Sequence, residues 1–201
     1  MKIVVLDGYT LNPGDLSWEG FEELGQVTVY DRTSYDPKDI ELIIERSKHA
    51  DAILINKTPI TKEVLYNLPN LKYIGLFATG YNVVDVEAAR EKGVVVTNVP
   101  SYGTDAVTQM VFALLLELTN YVGEHNRAVK AGQWSKNPDW SFSIKPLMEI
   151  SGKTIGIIGY GRIGQRVGQV AQAFGMKVLA NANRPRKELE NENLKYVELD
   201  E

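Results

Sequence analysis

The stretch from Thr154 to Arg186 constrains the fold of this chain more than any other part of the sequence. It begins with a short apolar run rich in isoleucine, which predicts a buried strand. Residues 159–164 then read G-x-G-x-x-G, and the amphipathic segment that follows is predicted to form a helix ending at Gly175. A second apolar strand begins at Lys177. Because strand, glycine turn, helix and strand follow one another within about thirty residues, the pattern predicts a dinucleotide-binding βαβ unit.

The three glycines of this turn have separate expected roles. Gly159 permits the tight turn out of the strand, Gly161 lets the backbone approach a pyrophosphate, and Gly164 lets the helix pack close to the strand. Arg162 and Ile163 open the helix, where unpaired amides and the helix dipole attract phosphate. We therefore predict that these five residues bind the pyrophosphate of a dinucleotide. The alternative is a glycine-rich turn without a ligand.

The end of the second strand lacks the acidic residue expected of an NAD site. That acid lies about 20 positions after the glycines and binds the ribose hydroxyls. Here Ala182 stands near the strand end, and no acid occurs before Glu188. Asn183 and Arg184 are predicted to contact the cofactor, and Arg184 with Arg186 could bind a 2′-phosphate. The sequence therefore favours NADP(H) over NAD. The alternative is that both arginines are solvated loop charges.

Composition excludes several classes of protein. The formal net charge is −4 and no basic face stands out, which argues against nucleic acid as a partner. No cysteine is present, so disulfides, thiolate nucleophiles and thiolate metal sites are excluded. No apolar run has the length of a membrane span, and the amino-terminal segment does not resemble a signal peptide, so we expect a cytoplasmic protein. His49 and His125 lack metal-ligand spacing; His49 is interpreted as a solvated residue at a helix end rather than a catalytic one, and His125 as structural.

The first hundred residues alternate between strand and helix patterns, which predicts a parallel sheet with helices on both faces. The predicted strands are 2–6, 26–30, 52–55, 71–77 and 94–98. The predicted helices run from a cap at Asp15 to Leu24, from Asp36 onward, from 63 to 68 after a cap at Thr61, and from 86 to 92. Ligands of such sheets bind at the carboxyl ends of the strands. The loops at Gly8, Asn56–Thr58 and Ala78–Asn82 are predicted to lie on that edge.

A single long helix is predicted from Thr104 or Asp105 to about Lys130. Its middle is apolar on nearly every face, which predicts burial between layers or between subunits. The loop-like segment 132–146 contains Trp134 and Trp140, together with a phenylalanine. These aromatic residues predict docking onto a neighbour, which could be a second subunit; the alternative is packing on their own chain.

Three ordered blocks, at residues 78–89, 96–116 and 152–165, closely resemble the D-isomer-specific 2-hydroxyacid dehydrogenases. That family includes glycerate dehydrogenases, hydroxypyruvate and glyoxylate reductases and D-lactate dehydrogenases. The resemblance implies an α/β fold: a flavodoxin-like parallel-sheet substrate domain at residues 1–100, followed by the first part of an NAD(P)-binding Rossmann domain at 101–201. It further implies a homodimer acting on a small 2-keto or 2-hydroxy acid. Residues 7–12 resemble the glycerate or hydroxypyruvate branch of the family more than the other branches.

The resemblance also implies roles for individual residues. The loop that contains Ala78, Thr79, Gly80 and Tyr81 would hold the substrate carboxylate through backbone amides. Thr104 would lie near the cofactor. The aromatic segment with Trp134 and Trp140 would belong to the dimer contact.

No residue of this chain matches the catalytic Arg, Glu and His of the family. Hydride transfer to a 2-keto acid needs a proton donor and a cation that holds the carboxylate. We therefore expect no substantial dehydrogenase activity from this chain alone. A half-built nucleotide sheet would also expose an apolar edge, so self-association is expected. The alternatives are a non-catalytic dinucleotide-binding or interaction module, and a flavodoxin-type sheet that binds another anion.

Overall fold

Two separate parallel sheets organise the chain, which divides into two units between Tyr102 and Gly103. The structure is a computed structural model and describes residues 1–200. The predicted α/β class is confirmed. Each unit is built around its own sheet and its own apolar core.

The first unit contains a five-stranded sheet in the order β2-β1-β3-β4-β5, with every pair parallel. This is the strand order of the flavodoxin-like fold, as predicted. The strands are β1 (Lys2–Val5), β2 (Gln26–Val29), β3 (Ala52–Ile55), β4 (Tyr73–Leu76) and β5 (Val95–Thr97). The helices are α1 (Gly8–Leu11), α2 (Glu19–Glu22), α3 (Ile40–Ser47), α4 (Lys62–Tyr66) and α5 (Val86–Glu91).

The core of this unit follows from strand periodicity, since successive side chains point to opposite faces of a sheet. One face of β3 contributes Ile53 and Ile55 to the main cluster, which also contains Ile43 of α3 and Leu65 of α4. The other face contributes Ala52 and Leu54 to a smaller cluster. All four residues of β3 are buried, which explains why this strand is apolar throughout.

Two helix predictions in this unit are wrong at their starting points. No helix is capped by Asp15; the Asn12 side chain instead accepts hydrogen bonds from two backbone amides at residues 14 and 16 and holds that segment as a turn. The helix predicted from Asp36 begins at Ile40, because the Asp36 carboxylate accepts the Lys38 amide at 2.9 Å in a local turn. The predicted Thr61 cap is confirmed, since its hydroxyl accepts the Val64 amide.

The second unit contains a three-stranded parallel sheet in the order β6-β7-β8. Its strands are β6 (Thr154–Ile158), β7 (Lys177–Asn181) and β8 (Leu194–Tyr196). Its helices are α6 (Thr104–Asn120), α7 (Val122–Lys130) and α8 (Arg162–Ala173), with a short 3₁₀ helix at Lys187–Leu189. If β6, β7 and β8 are counted as the first, second and third strands of this unit, the spatial order reads 3-2-1 from β8 to β6. This is the order of one half of the doubly wound dinucleotide-binding sheet. Within residues 1–200, β6 has a paired neighbour on one side only, and Ile158 is 78% exposed.

The single helix predicted from Thr104 to Lys130 is wrong, because the chain breaks at Tyr121. Tyr121 adopts a left-handed backbone conformation with φ +51°, and the two helices meet at a bend of 59°. The Glu117 carboxylate accepts the Gly123 amide with both oxygens, at 3.0 and 3.1 Å, and so caps the second helix.

Fewer faces of α6 are buried than its apolar composition predicts. Phe112 is buried and stacks on Phe174 of α8, with ring centroids 5.3 Å apart. Four apolar residues of the same helix remain 43–70% exposed: Val107, Met110, Leu114 and Leu118. Packing within this chain therefore covers one face of α6, and burial of the other face between subunits stays a prediction. Within residues 1–200 no single helix has the length and apolar composition needed to cross a membrane, and α6 with α7 passes that test only as a bent pair.

Candidate functional site

The glycine turn, residues 159–164, joins the end of β6 to the start of α8. Gly159 has φ +91°, in the left-handed region that favours glycine. A Cβ on Gly164 would lie 2.4 Å from the Gly159 carbonyl oxygen, so only glycine allows this close approach of helix and turn. The structural roles predicted for these two glycines are confirmed. Their role in binding a cofactor stays a prediction.

The amino end of α8 fits a phosphate group. Gly161 is the N-cap residue and offers no side chain to the first amides, and the first turn contains no acidic residue. A Cβ at Gly161 would meet no atom within 4 Å, so the space over the backbone is open. Arg162 and Ile163 occupy the first turn, as predicted. The amides and the dipole of this twelve-residue helix can therefore act on an anion.

The segment predicted to contact the ribose lies next to the glycine turn. The Asn181 carbonyl, at the end of β7, accepts the amides of Gly159 and Tyr160 at 2.9 and 3.1 Å. Ala182 follows directly and is partly buried against the core. Asn183 and Arg184 come next and are both exposed. The structure therefore brings the strand end and the glycine turn to one edge of this sheet.

The two arginines proposed to bind a 2′-phosphate differ in their surroundings. The Arg186 guanidinium lies 2.9 Å from the Glu188 carboxylate, and this hydrogen bond lowers the pKa of Glu188. Arg184 is exposed and precedes that ion pair by two residues. Arg184 is therefore the better candidate for a phosphate ligand, since Arg186 already has an anionic partner.

Tyr160, inside the glycine turn, is an anchor that the sequence reasoning missed. It is only 5% exposed, and its ring meets that of Tyr196 edge to face with centroids 5.6 Å apart. Burial, followed by the charge of Tyr196, raises the pKa of the Tyr160 phenol. Its hydroxyl lies so close to Gly168 of α8 that a Cβ there would be 2.2 Å away. The one signal in the sequence is a second glycine on the inner face of this helix.

Thr104 lies at the start of α6, in the same unit as the glycine turn. Its carbonyl accepts the Thr108 hydroxyl at 2.8 Å. The neighbouring Asp105 forms an ion pair of 2.8 Å with Arg166 of α8. The first turn of α6 is therefore tied to the amino-terminal half of α8, the helix whose amino end would bind phosphate.

The Ala78–Tyr81 loop leaves the carboxyl end of β4 in the first unit. It is tied to the segment after β5 by three hydrogen bonds. The Val99 amide donates to the Ala78 carbonyl at 3.1 Å, the Thr79 hydroxyl donates to the Val99 carbonyl at 3.0 Å, and the Asn98 side chain donates to the Thr79 carbonyl at 2.8 Å. Gly80 and Tyr81 are exposed. The loop is therefore held at one side while its tip stays open to solvent.

Asp7 is a second residue that the sequence reasoning missed. It follows β1, is fully buried, and accepts hydrogen bonds from the backbone amides of Asn56, Lys57 and Thr58 at 2.7, 2.9 and 3.0 Å. Its second oxygen accepts the Thr58 hydroxyl at 2.8 Å. Two of the three loops predicted to share the carboxyl edge are thus joined through this one carboxylate. An aspartate directly after an apolar strand was the available signal.

Neither histidine lies at a site described above. His49 is exposed and lines a polar depression with Lys2 and Gln26, the first residues of β1 and β2. This depression lies toward the amino ends of the strands, whereas the Ala78–Tyr81 loop follows the carboxyl end of β4. His125 hydrogen-bonds the Tyr121 carbonyl at 2.9 Å and the Ile144 amide at 3.4 Å, so it ties the aromatic segment to α7. Among residues 1–200 there is no group of three or more His, Cys, Asp or Glu side chains arranged to hold a metal ion.

The aromatic segment packs partly on itself. The Trp134 indole donates to the Trp140 carbonyl at 3.1 Å, and the Trp134 ring lies 6.1 Å from that of Phe142. Trp140 remains 89% exposed. Trp134 makes these contacts while remaining 51% exposed, so docking of Trp134 and Trp140 onto a neighbour stays a prediction.

Comparison with known proteins gives one consistent family. A family model described as the catalytic domain of D-isomer specific 2-hydroxyacid dehydrogenases matches residues 3–186. The chain is similar to a hydroxypyruvate reductase of Blautia hydrogenotrophica, at 57% identity over 100% of this chain and 62% of that protein.

Solved structures agree with this result. A Thermus thermophilus protein matches with a TM-score of 0.75 and 30% identity, over 98% of this chain and 60% of that one. An acyclic imino acid reductase in complex with NADPH and D-Arg matches with a TM-score of 0.71 and 29% identity, over 98% of this chain and 60% of that one. The chain thus spans 60–62% of the length of these relatives.

Proposed function

Because the chain belongs to the D-isomer-specific 2-hydroxyacid dehydrogenase family, we propose that it carries the dinucleotide turn and the substrate loop of an oxidoreductase. The observation that carries this proposal is the junction of β6 and α8, with open space over Gly161 and an N-cap residue that has no side chain. A nicotinamide dinucleotide supplies the hydride in this chemistry. The residues of the turn would bind its pyrophosphate and fix its position.

The proposed substrate is a small 2-keto or 2-hydroxy acid, with hydroxypyruvate as the first candidate. The similarity to a hydroxypyruvate reductase at 57% identity supports this choice. The exposed tip of the Ala78–Tyr81 loop supports a site for the carboxylate, since Gly80 and Tyr81 are accessible to a small anion. Backbone amides form charge-assisted hydrogen bonds with such a group.

The proposed cofactor preference is NADP(H). Ala182 offers no carboxylate to ribose hydroxyls, and the exposed Arg184 follows it at the same sheet edge as the glycine turn. A guanidinium binds a phosphate with paired, charge-assisted hydrogen bonds. The structural relative solved with NADPH supports the preference.

We propose a homodimer formed through the exposed face of α6. Val107, Met110, Leu114 and Leu118 follow one another at spacings of three and four residues, so they share one face of the helix. An exposed apolar stripe of this kind is typical of a protein interface. The exposed Trp140 would add to the contact.

We expect the 201-residue chain by itself to bind the cofactor without turning over substrate. A proton donor is required at the carbonyl oxygen. His49 lies at the wrong edge of its sheet, and His125 is engaged by Tyr121 and Ile144. The second candidate function is a non-catalytic, self-associating dinucleotide-binding module, which the exposed apolar face of α6 favours.

A titration of the purified chain with NADPH tests the proposal. We expect saturable enhancement of the reduced nicotinamide fluorescence, and no oxidation of NADPH when hydroxypyruvate is added. Turnover of hydroxypyruvate would contradict the expectation that the chain is inactive alone. Absence of binding to both NADPH and NADH would contradict the proposed role of the glycine turn.

A further inference from the structure

The segment from Ile55 to Ile60 holds the Ala78–Tyr81 loop from both sides. At the start of the loop, the Phe77 amide donates to the Ile55 carbonyl at 2.9 Å. Beyond its end, the Ile60 amide donates to the Val83 carbonyl at 2.8 Å, and the Asp85 amide donates to the Ile60 carbonyl at 3.0 Å. The geometry of the loop therefore depends on where residues 55 and 60 lie relative to each other.

The middle of that segment is fixed by Asp7. One carboxylate oxygen accepts the three successive amides of Asn56, Lys57 and Thr58, and the other accepts the Thr58 hydroxyl. A carboxylate has about four acceptor sites, two on each oxygen, so the oxygen that accepts three amides is saturated by this segment. Asp7 and Thr58 are both 0% exposed, which leaves water little access as a substitute.

We propose that Asp7 is a positioning residue for substrate binding, which acts by fixing residues 56–58 and through them both ends of the Ala78–Tyr81 loop. This inference rests on the proposed role of that loop in binding a 2-keto acid. Asp7 itself does not contact the substrate, because its side chain is 0% exposed and is bonded to the chain by both oxygens. Its effect is to keep the amides of the loop in one arrangement.

Two substitutions separate this role from a general loss of stability. Asp7→Asn keeps the shape: its carbonyl oxygen can accept the three amides, while its amide group donates to the Thr58 hydroxyl. Asp7→Ala leaves those three amides without their acceptor. Ile43→Ala, a fully buried change in the core of the same unit, serves as the control that lowers stability only.

The measurements are amide hydrogen exchange by NMR and a titration with hydroxypyruvate. In Asp7→Ala, we expect the amides of Thr58, Val84 and Asp85 to exchange at least about tenfold faster under conditions where the unit stays folded. As a separate expectation, the loop of Asp7→Ala should hold its binding geometry for about a tenth of the time, which would raise the Kd for hydroxypyruvate about tenfold. Asp7→Asn should restore both values to within about twofold, and Ile43→Ala should leave the Kd unchanged.

Unchanged exchange at Val84 and Asp85 in Asp7→Ala would overturn the inference, whatever the chain binds. An equal rise in Kd for Ile43→Ala would also overturn it, because a loss of stability would then be sufficient. If the unaltered chain fails to shift the Gly80 and Tyr81 resonances with hydroxypyruvate, the proposed substrate site is refuted. In that case, faster exchange at Val84 would still establish that Asp7 positions the loop.

Discussion

Substitution of Gly164 by alanine tests how the glycine turn is built. The added Cβ would lie 2.4 Å from the Gly159 carbonyl oxygen and 3.3 Å from a methyl carbon of Ile157. A van der Waals contact needs roughly 1 Å more at the oxygen, so either α8 or the turn has to move. Overpacking of this size costs about 1–3 kcal/mol. Alanine stabilises a helix interior by up to about 1 kcal/mol relative to glycine, and this gain offsets part of the overpacking cost.

Because the 2.4 Å contact is with a backbone atom, the overpacking cost lies at about 2–3 kcal/mol, and the expected net destabilisation of Gly164→Ala is about 1–2 kcal/mol. In a unit of about 100 residues this lowers the melting temperature by roughly 4–15 °C, which circular dichroism can follow. Because the displaced carbonyl belongs to the proposed pyrophosphate site, NADPH should also bind more weakly. Gly161→Ala is the matched control for steric crowding, since its φ is −80° and its Cβ would meet nothing within 4 Å; it should lose only the modest N-cap preference for glycine over alanine. A Gly164→Ala variant as stable as the unaltered chain, with unchanged NADPH affinity, would refute this reasoning.

Three further results are expected. Arg184→Gln should weaken NADPH binding about tenfold and leave NADH binding unchanged, as measured by calorimetry; equal loss for both would contradict the phosphate role. Leu118→Glu should shift the sedimenting species from dimer to monomer, whereas Val129→Glu on α7 should not; an unchanged dimer would exclude this face. The Lys145 hydrogen bond lowers the pKa of Glu124 below 4.5, so the stability gained from this 2.9 Å pair is present above that pH and lost as pH falls through the folded pKa. The difference in melting temperature between the unaltered chain and Lys145→Met should therefore disappear in acid; a difference that persists there would contradict the pairing.

The sheets and the glycine turn could be predicted from sequence because their causes are local. Apolar runs such as Ala52–Ile55 leave no solvent face and so specify buried parallel strands. The left-handed conformation at Gly159 and the close approach at Gly164 follow from the absence of a side chain. Thr61 caps α4 through its own hydroxyl, so its role is also visible in the sequence.

The errors arise where one polar side chain outweighs the periodic pattern. The hydrophobic pattern of α6 continues past Tyr121, but the Glu117 carboxylate satisfies the Gly123 amide and stabilises a new helix start. Asn12 holds a turn around Asp15, and Asp36 holds a turn of its own, at the two places where a helix was predicted to begin. Such choices depend on which of several nearby amides a side chain reaches, and sequence spacing does not distinguish them.

Asp7 and Tyr160 were missed for a different reason. The partners of Asp7 lie about fifty positions away in sequence, at separations of 49 to 51 residues. Tyr160 packs on Tyr196, and neither position has a local pattern that indicates burial. Contacts of this kind are set by the parallel order of the strands, and become visible only once the sheet is assembled.

The central claim is that the open amino end of α8 binds the pyrophosphate of a nicotinamide dinucleotide. Calorimetric titration of NADPH into the unaltered chain and into Gly161→Val tests it most directly, because a Cβ at that position would meet no atom within 4 Å and the larger side chain would extend into the proposed ligand space. We expect saturable binding to the unaltered chain and a loss of about 100-fold in Gly161→Val, equivalent to about 3 kcal/mol for two charge-assisted hydrogen bonds; loss of the favoured N-cap glycine should lower the melting temperature by only a few degrees. Equal affinity of the two proteins for NADPH would contradict the claim.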